Sequence, residues 1–157
     1  YSGSFVTQFF FTFLPTFIIV CIVTNGAVPL GINLLYFAVS VVMAVIINYA
    51  IDFMTGTICL YTESIWGINI MKQVIVLLLS GANIPIAFFP DTMKTIVGYL
   101  PFKSIYNTPL TILLEKNPDI TVVAEALGIQ LFWCITLLIL SSLFWKVSLR
   151  KITVNGG

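Results

Sequence analysis

The hydrophobic positions of this chain come in long runs, with polar residues in short bursts between them. Residues 5–23, FVTQFFFTFLPTFIIVCIV, carry no formal charge. They are long enough to cross a bilayer core, which takes roughly 20 helical residues. Pro15 predicts a kink within that span. Thr24-Asn25-Gly26, followed by Pro29 and Gly31, marks a turn. A second apolar run covers residues 29–60, more than one crossing needs, so either tilt or emergence of its last turns is expected. The sequence YTESIWG at 61–67 is the next polar break, where Glu63 and Trp66 suit an interfacial turn. A third run occupies residues 66–80, with Lys72 placed so that its long stem can reach the head groups. A final run covers residues 122–145 and closes on Phe144 and Trp145 as interface anchors.

The third run breaks before it has finished crossing. Ser80-Gly81 and Pro85 interrupt LLLSGANIPIAFFPDTMKTIVGYLPF while its side chains are still apolar. A proline removes a backbone donor and clashes one turn back, so helix is not expected through Ile84-Pro85. Within residues 81–90, Ile86 to Phe89 are nonetheless too apolar for a water-facing loop, and in lipid irregular backbone survives only where protein or a wet cavity surrounds it. A re-entrant segment at one membrane face is expected here; the alternative is a helix end followed by a greasy loop. Beyond it, Met93, Ile96, Val97 and Leu100 recur at i, i+3, i+4 and i+7 and predict a short amphipathic helix along the interface. A second short helix is expected from Lys103 to Lys116, interrupted at Pro109, and Asn117-Pro118-Asp119 reads as a turn. With Asp91, Glu115, Asp119 and Glu125 set among Lys94, Lys103 and Lys116, this region reads as a charge-balanced cap outside the bilayer.

Composition agrees with the pattern. Of the 157 residues 59% are hydrophobic and 8% charged, against roughly a quarter charged in a soluble domain. The expected fold is all-α: a polytopic membrane bundle of about four transmembrane helices with a re-entrant hairpin and short interfacial helices. Lys146, Arg150 and Lys151 follow the last span with no acid after them, which places the C-terminus in the cytoplasm. Four crossings then put Tyr1 and YTESIWG on the cytoplasmic side and residues 85–125 outside. The chain opens on Tyr1 inside an apolar region, which reads as the C-terminal part of something longer.

The polar residues within the spans are few. In the second span Ser40, Ala44, Asn48, Asp52 and Thr55 recur at spacings of four, four, four and three. Such a stripe of small and polar side chains favours close helix–helix contact in lipid. An ionised Asp52 would cost about 2.5–3.5 kcal/mol at mid-membrane, less towards the interface. Asn48 and Asp52 are therefore either coupling or pathway residues, or an interfacial carboxylate with its packing partner. Cys21, Cys59 and Cys134 lie far apart in apolar segments and read as small hydrophobes.

Several chemistries are excluded. The chain has no histidine, so His-based triads and metal sites do not arise. It has no Gly-Lys pair to begin a phosphate-cradling P-loop, no GxSxG, and no basic run for nucleic acid. No catalytic, cofactor-binding or metal residue is expected. Coupled transporters use buried carboxylates or broken-helix ion sites at mid-depth, and little of that kind is present. Energy for any transport would come from another subunit, and apolar helices with hydroxyls and aromatics suit an amphipathic cargo.

Four motifs occur in order: ExxWG (Glu63, Trp66, Gly67), LLSGxxIPxxFFP (ending Leu79 to Pro90), LPFxxIYxxP (Leu100 to Pro109) and a basic tail ending Asn155-Gly156-Gly157. Together they resemble the ABC-2 type permeases, and in particular a bacterial group once catalogued as a domain of unknown function. The likeness covers about Asp52 to the C-terminus and is silent on cargo. It implies a six-span permease, of which the spans here would be the third to sixth, working as a dimer with a second permease copy or a related permease. It implies an exporter in the bacterial cytoplasmic membrane that docks a separate ABC ATPase, moving a lipid-like, peptide-like or drug-like cargo. By the same likeness Glu63, Trp66 and Gly67 lie on the face towards the ATPase and transmit its motion. Gly81, Pro85, Phe88, Phe89, Pro90, Pro101 and Phe102 belong to an outer gate. The departure is that the first two spans, which normally carry much of the ATPase contact, are not in this sequence. The readings from other classes are a non-transporting scaffold or immunity subunit and an oligomeric channel; no filter motif favours the channel.

Overall fold

A computed structural model describes residues 32–59, 61–62, 65–115 and 119–155. The first predicted span (5–23), Glu63 and Lys116 lie outside the described residues. Within them the chain is helical throughout: α1 (Ile32–Cys59), α2 (Ile65–Leu79), a 3-10 turn (Ile86–Phe88), α3 (Asp91–Tyr99), α4 (Lys103–Leu114) and α5 (Ile120–Asn155). Two helices, Ile32–Cys59 and Ile120–Leu149, are long and apolar enough to cross a membrane. Many large apolar side chains on them face outward, among them Leu35, Val42, Phe132, Ile135 and Ile139. Water would penalise that surface and lipid does not.

The helices pack through stripes of small and medium side chains. On α1 the buried positions Asn33, Phe37, Ser40, Ala44, Ile47 and Ala50 follow steps of four, three, four, three and three. On α5 Gln130, Cys134, Leu137 and Ser141 are buried at steps of four, three and four. Both are the spacing of a helix seam, and small residues on it let the backbones approach. The contacts give the directions. Ser40 meets Gln130, the Met43 carbonyl meets Cys134, and the rings of Phe53 and Trp145 lie 5.6 Å apart. Both numbers rise together, so α1 and α5 run parallel.

By contrast, Asp52 pairs with Lys72, while Ile47 and Ala50 share a core cluster with Val76. Helix α2 therefore returns antiparallel to α1. Fifteen residues give it a length of about 22 Å, short of the roughly 30 Å hydrocarbon core.

Helix α2 stops at Gly81 rather than at Pro85. The Ser80 N–H makes the last helical bond to the Val76 carbonyl. Gly81 then adopts φ +81°, the left-handed conformation that commonly ends helices and that glycine reaches without a Cβ clash. Pro85 instead precedes the 3-10 turn, where its missing N–H costs nothing.

The expected break within the second short helix is not there. α4 continues through Pro109, although an interior proline costs about 3 kcal/mol. Ser104, Ile105, Thr108, Pro109, Ile112 and Leu113 are all buried, and burial of that face against α1 offsets the lost bond. For the same reason α4 is a packed member of the bundle, not part of a surface cap. The amphipathic reading of α3 is met at Val97, which is buried, whereas Met93 and Ile96 remain exposed. The last helix does not finish at Trp145 but continues to Asn155.

Its start is capped: the Asp119 carboxylate accepts bonds from the Thr121 hydroxyl (2.8 Å) and the Thr121 N–H (3.0 Å).

Two predictions follow from these helix ends. Gly81→Ala should lower the thermal midpoint in neutral detergent, with a cost of about 1–2 kcal/mol for the left-handed backbone. An added Cβ would also come within 3.1 Å of Ile86 Cγ1, so a midpoint equal to wild type would contradict the assigned turn. Separately, the two Thr121 bonds hold the Asp119 carboxyl below its ordinary value. A depressed folded value means that the cap stabilises above the unfolded carboxylate pKa of about 3.9 and is lost as pH falls through the lower folded value. Amide-exchange protection at Thr121 should therefore collapse only in acid, and should be low at every pH in Asp119→Ala.

Candidate functional site

Two polar clusters lie inside the apolar bundle. The first is centred on Gln130, which is fully buried. Its Oε1 accepts from the Ser40 hydroxyl at 2.8 Å, and its Nε2 donates to the carbonyls of Ser40 (3.2 Å) and Ser104 (2.8 Å). One carboxamide thus joins α1, α4 and α5. On either side, Trp133 Nε1 donates to the Tyr99 carbonyl at 3.1 Å, and the Asn33 carboxamide donates to the Glu115 carbonyl.

These bonds fix the course of α4. Its C-terminal end lies level with Asn33 at the start of α1. Its N-terminal end lies level with Ser40, about 10 Å further along α1 at 1.5 Å per residue. The elbow between α3 and α4, Leu100 to Phe102, therefore sits well inside the bundle, where Phe102 packs on the core cluster.

The second cluster joins α1 to α2. Lys72 Nζ forms an ion pair and hydrogen bond with Asp52 Oδ1, and Asn48 Nδ2 lies 3.4 Å from Asp52 Oδ2. Asp52 is the sole charged residue of α1 and Lys72 the sole charged residue of α2. Both are mostly covered, with side-chain exposures of 20% for Lys72 and 27% for Asp52. Lys72 thus turns to a carboxylate on its neighbour instead of reaching away from the bundle. The sequence held the signal for this pair. Asp52 stands seven residues before the end of α1 and Lys72 seven residues after the start of α2, so an antiparallel hairpin brings them level. Two helical turns take about 7.2 residues, which also puts both on the facing sides.

The predicted site residues fall into separate places. Asn48 and Asp52 belong to the second cluster. Trp66 is 79% exposed on the first turn of α2, with Gly67 half-buried beside it. Among the outer-gate candidates, Pro101 is buried and Phe102 packs on the core cluster at the elbow. Gly81 forms the turn that faces Ile86 and Asn107, while Pro85, Phe88 and Pro90 are exposed and Phe89 half-buried. The gate candidates are therefore two groups, an elbow inside the bundle and an outward-facing turn. Neither Gln130 nor Ser104 was among the residues the sequence singled out. A lone amide in the run ALGIQLFWCITLLIL was the available clue.

A sequence model of the family described as ABC-2 family transporter protein matches residues 4–156. The chain belongs to this family of membrane transport components. Members of this family are membrane components of ABC transporters and not themselves the ATPases, and membership implies association with an ABC ATPase. No curated protein and no solved structure matches the chain.

The ion pair gives a sharp test. Exposed pairs contribute about 0–1 kcal/mol, and breaking a buried one costs about 3–5. For this partly covered pair, Lys72→Met should destabilise by about 1–3 kcal/mol because it strands Asp52 among apolar helices. The double variant Asp52→Leu with Lys72→Met should recover most of that loss in thermal unfolding. Additive losses in the two single variants would show that the side chains do not interact.

Proposed function

We propose that the chain is the membrane-embedded permease subunit of an ABC exporter in the bacterial cytoplasmic membrane. Its cargo is amphipathic, of lipid-like, peptide-like or drug-like character, and a separate ABC ATPase supplies the energy. The permease works as a dimer with a second copy or a related permease. The observation that carries this reading is the path of the chain: two parallel long helices, one shorter helix returning between them in sequence, and a short helix, α4, packed against them with its start part-way down the bundle. Alternating crossings of α1, α2 and α5 fit that path, with the α1–α2 connection and the C-terminus cytoplasmic and the α3–α4 segment re-entrant from the outer face. The whole would be a four-span domain, surrounded by lipid.

In this arrangement Glu63, Trp66 and Gly67 face the ATPase. Trp66 favours that role, since a largely exposed aromatic at a helix start is an anchor seeking a pocket. The elbow at Pro101 and Phe102, with the turn at Gly81, Pro85, Phe88, Phe89 and Pro90, limits outward release. Such a short element can shift without displacing a complete span.

The test is reconstitution of the full-length protein in nanodiscs with ABC ATPases from the same cell. One of them should copurify with the chain, and Trp66→Ala should reduce their association by about tenfold, the scale of an aromatic interface anchor. Failure of any ABC ATPase to bind the wild-type chain would overturn the reading.

A further inference from the structure

Beside the Asp52–Lys72 pair lies a cavity of about 280 Å³ lined by Asn48, Lys72, Gln73, Val76, Leu77 and Tyr106. Its lining comes from α1, α2 and α4. Its chemistry is uneven. Lys72 brings an ammonium with three donors, of which one is spent on Asp52. Asn48, Gln73 and Tyr106 bring two carboxamides and a phenol. No carboxylate lines the space, because Asp52 turns one oxygen to Lys72 and the other to Asn48. Among the described residues, the side chains of Gln73 and Tyr106 make no hydrogen bond; both are exposed at the edge of the space, open to an incoming acceptor. The rest of the wall is aliphatic: Val76, which is buried, and Leu77, which is exposed.

We infer that this cavity binds the head of an anionic amphiphile, a phosphate or carboxylate with an alkyl tail. Lys72, Gln73 and Tyr106 donate to its oxygens, and the tail leaves along the exposed Leu77. Water occupies about 30 Å³ per molecule in the liquid. The space therefore holds a head group and its first methylenes, not a whole lipid. This assignment rests on the membrane placement of α1 and α2 proposed above and narrows the cargo or bound lipid to one charge class.

The experiment is native mass spectrometry of the full-length chain in a neutral detergent, without any ATPase. The added probes are dodecyl phosphate, dodecylphosphocholine and inorganic phosphate. One dodecyl phosphate should be retained, with about tenfold preference over dodecylphosphocholine, the scale of a lost charge-assisted hydrogen bond. Inorganic phosphate should not be retained. Gln73→Leu with Tyr106→Phe, which leaves the Asp52–Lys72 pair intact, should abolish the preference at an unchanged thermal midpoint. Tyr106→Phe alone should reduce it about threefold. Equal retention of the two amphiphiles, retention of inorganic phosphate as strong as that of dodecyl phosphate, or an unaltered preference in both variants would overturn the assignment. Because no ATPase is present, such a failure leaves the permease reading standing. Conversely, selective binding by a chain that pairs with no ATPase would leave the site in place and remove the exporter.

Discussion

Where water is scarce, a polar side chain must find its partners inside the protein, and that constraint arranges this bundle. Gln130 has three hydrogen bonds to satisfy, and it finds them on two other helices, at Ser40 and at the Ser104 carbonyl. Apolar packing alone is permissive about register, since one aliphatic turn fits another nearly as well. A buried carboxamide is not permissive, because a shift of one turn would leave it unpaired. The height of α4 in the bundle, and with it the depth of the elbow at Pro101, follows from that demand.

The second cluster solves the same problem with charge. Alone, Asp52 or Lys72 would be a costly residue on an apolar helix. Placed at equal distances from the connecting turn, they neutralise each other and fasten α2 to α1 where the two helices share little other contact surface. Asn48 completes the carboxylate's surroundings. The result is a charged pair that leaves the donors of Lys72 turned to the adjoining cavity.

Much of the fold was legible because membrane helices announce themselves by length and hydropathy. The runs that became α1, α2 and α5 could be read directly, and so could the break after Leu79, although glycine rather than proline makes it. What the pattern did not convey was depth. Lys103–Leu114 carries Lys103, Asn107 and Thr111 on one face and Pro109 in its middle, so it reads as surface. Its other face, with Ile105, Ile112 and Leu113, belongs to the interior, and only tertiary partners such as Ile47 and Gln130 reveal it. The candidate site was legible as residue types rather than as groupings. Asn48 and Asp52 stood out, but their partner Lys72 was assigned to the head groups because helix pairing was not yet known.

The course of α4 has one further implication. Both of its ends are tied to neighbouring helices, Ser104 through Gln130 and Glu115 through Asn33. A residue gained or lost within it would therefore break one tie or the other.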